Sequence, residues 1–144
     1  MELVAFLGND KETWGQVNGI INRGEWEKII IVKSKTAEDY DSPKESDLVI
    51  VDTSKPLLEL KEELITKLKT KLSGFDAHVS IASGTGKEHM ALISALLTIP
   101  VGIRLVVFTK NGVETINWII PKAYKFYSGN IYKKCHLGKD RVGK

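Results

Sequence analysis

The chain has 144 residues, 42% hydrophobic and 27% charged, the proportions of one globular domain large enough for its own core. No apolar run approaches the roughly 20 residues a membrane-spanning helix needs, and the first residues lack a signal-peptide pattern. The single cysteine, Cys135, permits no internal disulfide, and with only His136 beside it offers no zinc site. A cytoplasmic protein with no membrane contact, no metal and no cofactor is therefore expected. The net charge of +3 hides an asymmetry. From Pro121 onward seven Lys and Arg residues stand against Asp140 alone, so the first 120 residues carry a net negative charge. Tyr124, Phe126, Tyr127 and Tyr132 interleave with these lysines, a pattern that fits either a solvated tail or an arm touching RNA or DNA.

Residues 3–7 form an unalternating apolar run, as in a strand buried on both faces. A polar segment from Gly8 to Glu12 breaks it, with Asp10 or Thr13 available to cap a following helix. That helix carries Trp14, Val17, Ile20 and Ile21 at helical spacing and stops at Gly24. Residues 28–32 predict a second buried strand and residues 47–52 a third, separated by a polar stretch with at most a short helix. Ser54 and Pro56 predict a capped helix entry, and Leu57, Leu60, Leu64 and Leu68 its buried stripe, which ends at Gly74. A fourth strand around Val79 and Ile81 runs into Ser83-Gly84-Thr85-Gly86 and then an apolar helix from about Glu88, closed by Pro100. Residues 104–108 predict strand five. Asn111-Gly112 predicts a type I′ hairpin, returning strand six antiparallel through Ile120. Ser128-Gly129-Asn130 offers a second, smaller turn.

Strands alternating with helices predict an α/β fold, a three-layer Rossmann-like parallel sheet of order 3-2-1-4-5-6. Its last strand is antiparallel, supplied by a hairpin over residues 105–120. Residues 1–120 would form this domain and residues 121–144 a basic C-terminal extension. In such a sheet strands one and four are neighbours at the switch point, where ligands bind beyond the carboxyl ends. The loops leaving those two strands are Gly8 to Thr13 and Ser83 to Lys87. The second has two glycines, two hydroxyls, a lysine and a helix start, which equips it to hold an anion such as phosphate. The plainer alternative is a tight strand-to-helix turn with a solvent-facing lysine. It is not a Walker loop: Ile81 stands where the first glycine belongs, and Glu88 follows Lys87 in place of the Mg²⁺-binding hydroxyl. His89 lies beside the crevice, although a histidine on an apolar helix is more often a core residue.

Three features together resemble the CARF domain, the CRISPR-associated Rossmann fold. They are the first strand ending in Phe6-Leu7-Gly8-Asn9-Asp10-Lys11-Glu12, the segment Ser83-Gly84-Thr85-Gly86-Lys87-Glu88-His89-Met90-Ala91 before an apolar helix, and the closing hairpin around Asn111-Gly112. The family often reads Thr-Gly-Gly-Thr-Lys, whereas Thr85 here divides the glycines. The resemblance implies a homodimer that binds cyclic oligoadenylate, most simply cyclic tetra-adenylate, in type III CRISPR signalling. It also implies a metal-independent ring nuclease, in which the ribose 2′-OH attacks the adjacent phosphate. Lys87 and Ser83 would be the catalytic residues, and Gly8, Asn9, Asp10, Lys11, Thr13, Gly84, Thr85, Gly86 and His89 would line the ligand. A non-catalytic sensor or sink for the same ring, and a Rossmann-like protein for another nucleotide or a nucleic acid, are the alternatives.

Overall fold

The computed structural model of the chain describes residues 1–37 and 39–116. Six strands form one sheet: β1 (Glu2–Leu7), β2 (Lys28–Ser34), β3 (Asp47–Val51), β4 (Asp76–Ser80), β5 (Gly102–Thr109) and β6 (Gly112–Ile116). Their order is β3-β2-β1-β4-β5-β6, all parallel except the β5–β6 pair. A single 3₁₀ turn (Lys11–Thr13) leads into α1 (Trp14–Arg23), while α2 (Leu57–Leu68) and α3 (Gly86–Thr98) complete the chain order. This is the expected three-layer Rossmann-like architecture.

Strand periodicity builds the layers. Val4 and Phe6 point to one face of β1 and pack with α2 and α3, through Leu60, Leu64, Leu68, Leu92 and Leu96. Leu3, Ala5 and Leu7 point to the other and pack with Val17, Ile20 and Ile21 of α1. Each of these fully buried Leu, Ile or Phe side chains contributes about 1.5–3 kcal/mol relative to exposure. At the amino edge the Glu2 carboxyl is penalised by burial. The Ser73 hydroxyl and the amides of Ser73 and Gly74 outweigh that penalty and hold its pKa below the ordinary value. One outer strand of the described sheet is β3, where Lys67 Nζ donates to the Ile50 carbonyl at 2.6 Å.

Three local expectations are corrected. Ser54 does not cap α2: its hydroxyl and amide both donate to Asp52 Oδ1, at 2.6 and 3.1 Å, and Pro56 occupies the cap position. Helix α3 begins at Gly86, two residues before the expected start, because Thr85 and not a later residue supplies the cap. The β5–β6 turn is not type I′, which requires two positive φ angles; Gly112 has φ 102°, but no non-glycine residue among those described, Asn111 included, has a positive φ. Residues 117–120 of the expected hairpin, the basic extension and the turn at Ser128 lie outside the described residues.

Candidate anion site at the carboxyl edge

The loops after β1 and β4 meet, as adjacent strands at a switch point require. Ser83 is the bolt between them. Its Oγ accepts the Gly8 amide at 2.8 Å and lies 2.7 Å from Thr13 Oγ1, which also donates to the Asp10 carbonyl. Asp10 Oδ1 is 3.5 Å from the same hydroxyl. Trp14 Nε1 donates to the Gly8 carbonyl at 2.8 Å, so both backbone groups of Gly8 are held. A Cβ on Gly8 would lie 2.6 Å from the Gly84 Cα, inside any allowed contact. Gly84 adopts φ 107°, where a Cβ would strike the Phe6 ring at 2.8 Å. These two glycines let one loop lie against the other.

Ser83, expected as a catalytic residue, is 0% exposed, and its hydroxyl is engaged between the two loops. In this arrangement Ser83 ties the β4 loop to the β1 loop. Ser83→Ala would leave the buried Gly8 amide without an acceptor, lowering stability by about 1–3 kcal/mol in urea denaturation; an unchanged midpoint would refute the bridge.

The turn into α3 also uses much of its own polarity. Thr85 Oγ1 accepts the Glu88 amide at 3.3 Å, and Glu88 Oε1 accepts the Thr85 amide at 2.8 Å, a reciprocal capping box. Glu88 is therefore buried as a cap and does not project among bound phosphates. His89 Nε2 lies 2.7 Å from the Ser83 carbonyl, an acceptor only, so the ring carries its proton on Nε2 and braces the loop from below. Its ring meets Phe6 edge-on. Thr85 and His89, both expected to line the ligand, use these side-chain atoms within the loop.

What stays open is the first turn of α3. The amides of Gly86 and Lys87 have no acceptor among the described residues, and a Cβ on Gly86 would meet nothing within 4 Å. Lys87 Nζ donates to the Thr53 carbonyl at 3.0 Å and joins no ion pair among the described residues. Its neighbours differ: Lys11 pairs with Asp39 at 2.7 Å, and Lys35 with Asp52 at 3.5 Å. The Ser54 hydroxyl and amide, with Lys35, hold the Asp52 carboxyl below its usual pKa, so that partner stays charged near neutral pH. Lys87 is a cation at this edge with no carboxylate partner among the described residues and two spare donors. The edge as a whole is mixed in sign, and not uniformly positive.

Two further loops, absent from the sequence-based site, join the same edge. Asn9 Oδ1 accepts from Thr36 Oγ1 at 3.0 Å, and Ser34 Oγ is 2.9 Å from Thr36 Oγ1. Thr53 Oγ1 donates to Ser34 Oγ at 3.1 Å. Hydroxyls from the β2 and β3 loops thereby continue the row begun by Asn9 towards the Lys87 ammonium. Sheet order was the available signal, because β2 and β3 end at the same edge as β1. Two open grooves of about 560 and 470 Å³ lie elsewhere, along α2 and the β3 edge. Among their lining residues Glu63 pairs with both Lys67 and Lys55. No group of metal-ligating side chains occurs among the described residues, and none of their helices is long and apolar enough to cross a membrane.

This architecture recurs among solved structures. The Csm6 of Enterococcus italicus, solved bound to cyclic hexa-2′-fluoro-hexa-dAMP, superposes with a TM-score of 0.54 at 10% identity. The likeness is one of fold. It covers 92% of this chain and 43% of the Csm6 chain, so this chain spans less than half of that protein. No family model matches the sequence, and no curated protein matches it.

Proposed function

We propose that this chain binds a cyclic oligoadenylate at the carboxyl edge of its sheet, in the manner of a CARF domain in type III CRISPR signalling. The observation that carries the reading is the Gly86–Lys87 turn: two free amides and an uncompensated ammonium at the switch point, beside the β1 loop. A phosphodiester offers two anionic oxygens to such a turn. Asn9, Thr36 and Thr53 then supply neutral donors and acceptors for sugar and base edges. Gly8, Asp10, Lys11 and Thr13 shape the near wall, and Ser83, Gly84, Thr85 and His89 hold the turn in place. The fold shared with a Csm6 solved on a cyclic hexanucleotide analogue supports the same reading.

Binding is the stronger half of the proposal. Cleavage by a 2′-OH needs in-line geometry and stabilisation of charge on the phosphate. Lys87 supplies the second, while Ser83 is sealed away and His89 Nε2 is occupied. A binding sensor or sink is therefore favoured, with slow ring opening at Lys87 as the second reading. Incubating the full chain with cyclic tetra- and hexa-adenylate in EDTA, then separating ring from linear products, tests both. Retention of an intact ring is the expected result; a ring neither retained nor opened would overturn the reading, and salt-dependent RNA binding by residues 121–144 would be examined next.

A further inference from the structure

The hydroxyl row behind the Lys87 turn has a direction. Ser34 ends β2 and is 2% exposed. Its Oγ stands at the centre of the row, 2.9 Å from Thr36 Oγ1 and 3.1 Å from Thr53 Oγ1, and it also accepts the Thr36 amide at 3.2 Å. A hydroxyl carries one proton, so each can donate only once. Thr36 gives its proton to Asn9 Oδ1 at 3.0 Å and has none left for Ser34. Ser34 therefore gives its own to Thr36, and Thr53 gives its proton to Ser34. The three protons run one way, from Thr53 through Ser34 and Thr36 to Asn9.

The two ends of the row consequently present opposite chemistry. Asn9 is exposed, and with Oδ1 occupied it has Nδ2 left to donate. Thr53 is half-buried, and with its proton committed it meets a ligand through the lone pairs of Oγ1, as an acceptor. We infer that Thr53 Oγ1 accepts a hydrogen bond from a ribose 2′-hydroxyl, and so selects a ring of ribonucleotides over one whose 2′ position cannot donate. Resting on the cyclic-oligoadenylate reading, this assignment names the feature of the ring that the β3 loop recognises. Thr53 also carries the carbonyl that holds Lys87 Nζ at 3.0 Å, so a phosphate taken by that ammonium lies beside it. In a 3′–5′ linked ring the 2′-hydroxyl sits on the carbon next to the one bearing the phosphate oxygen. The adenine amino group is at the far edge of the base, so the 2′-hydroxyl is the ligand donor within reach. It is also the group by which a protein tells ribose from deoxyribose. Thr36 acts through Ser34: by taking the Ser34 proton it keeps Thr53 an acceptor, which makes it a positioning residue.

Titration calorimetry of the full chain with cyclic tetra-adenylate and its 2′-fluoro counterpart tests the assignment, because fluorine fills the position but cannot donate. The wild type is expected to bind the 2′-hydroxyl ring about tenfold more tightly. Thr53→Val keeps the carbonyl that holds Lys87 and should bind both rings alike, whereas Thr53→Ser should restore the preference. Thr36→Val tests the direction of the row. With no acceptor at residue 36 the Ser34 proton turns to Thr53, and the preference should shrink although Thr53 itself is intact. A loss of stability alone would weaken both rings equally and leave their ratio unchanged. Equal affinities in the wild type, a preference that survives Thr53→Val, or one unchanged by Thr36→Val would each overturn the inference while leaving ring binding established. A chain that retains neither ring would overturn the cyclic-oligoadenylate reading, and this assignment with it.

Discussion

Lys87→Ala is expected to weaken binding of cyclic oligoadenylate by about ten- to a hundredfold while the protein stays folded. A hydrogen bond from an ammonium to a phosphate oxygen contributes about 1.5–3 kcal/mol, and about 1.4 kcal/mol is a factor of ten. Lys87 makes one hydrogen bond in the ligand-free chain, to the Thr53 carbonyl, which can exchange it for water. Lys87→Arg should keep part of the affinity, since charge is retained but the compact three-donor head is lost. The dependence of affinity on salt should also become shallower in the alanine variant. Titration calorimetry at two salt concentrations reads both effects. An affinity equal to that of the wild type would remove Lys87 from the site and with it the central contact of the proposed function.

Gly8→Ala is expected to be the most damaging single substitution in the site, lowering stability by about 3 kcal/mol. The added Cβ meets Gly84 Cα at 2.6 Å and Gly84 N at 2.7 Å, both backbone atoms that no rotamer change can move. Separating the loops would also strip the Gly8 amide from Ser83. For a domain of this size the melting temperature should fall on the order of 10 °C. Gly15→Ala is the matched control. Nothing lies within 4 Å of its Cβ, and alanine is the better helix former by about 1 kcal/mol. Coincident melting curves for Gly8→Ala and the wild type would show that the two loops do not touch.

The strands were legible because burial on both faces leaves little freedom of composition. Residues 3–7 and 28–32 read as unbroken apolar runs, and the observed β1 and β2 extend only slightly past them. Alternation with helices then fixed the sheet order, and the order alone brought the Gly8 and Ser83 loops together. The individual roles were less legible. A strand-to-helix turn must satisfy its own amides, and it does so with the residue types that would also hold a phosphate. Ser83, Thr85 and Glu88 therefore look alike in sequence whether they face ligand or backbone. Only the pairing of Thr85 with Glu88 at N3 carried a separate signal, the capping-box spacing, and it applies to the plainer reading. Lys87 differs because its side chain is too long to be needed in the turn. Nothing in the sequence marks Thr36 and Thr53, because neither lies in a glycine loop.

The ammonium that Lys67 lays over the Ile50 carbonyl has a meaning beyond α2. Strand β3 is an outermost strand among the described residues, and its own Leu48 and Ile50 leave greasy surface in water. Such a rim invites another polypeptide to add itself as a seventh ribbon, the first step towards fibrils. A cation seated on an outward carbonyl of this strand occupies an acceptor such a ribbon would seek and disfavours its addition at this border.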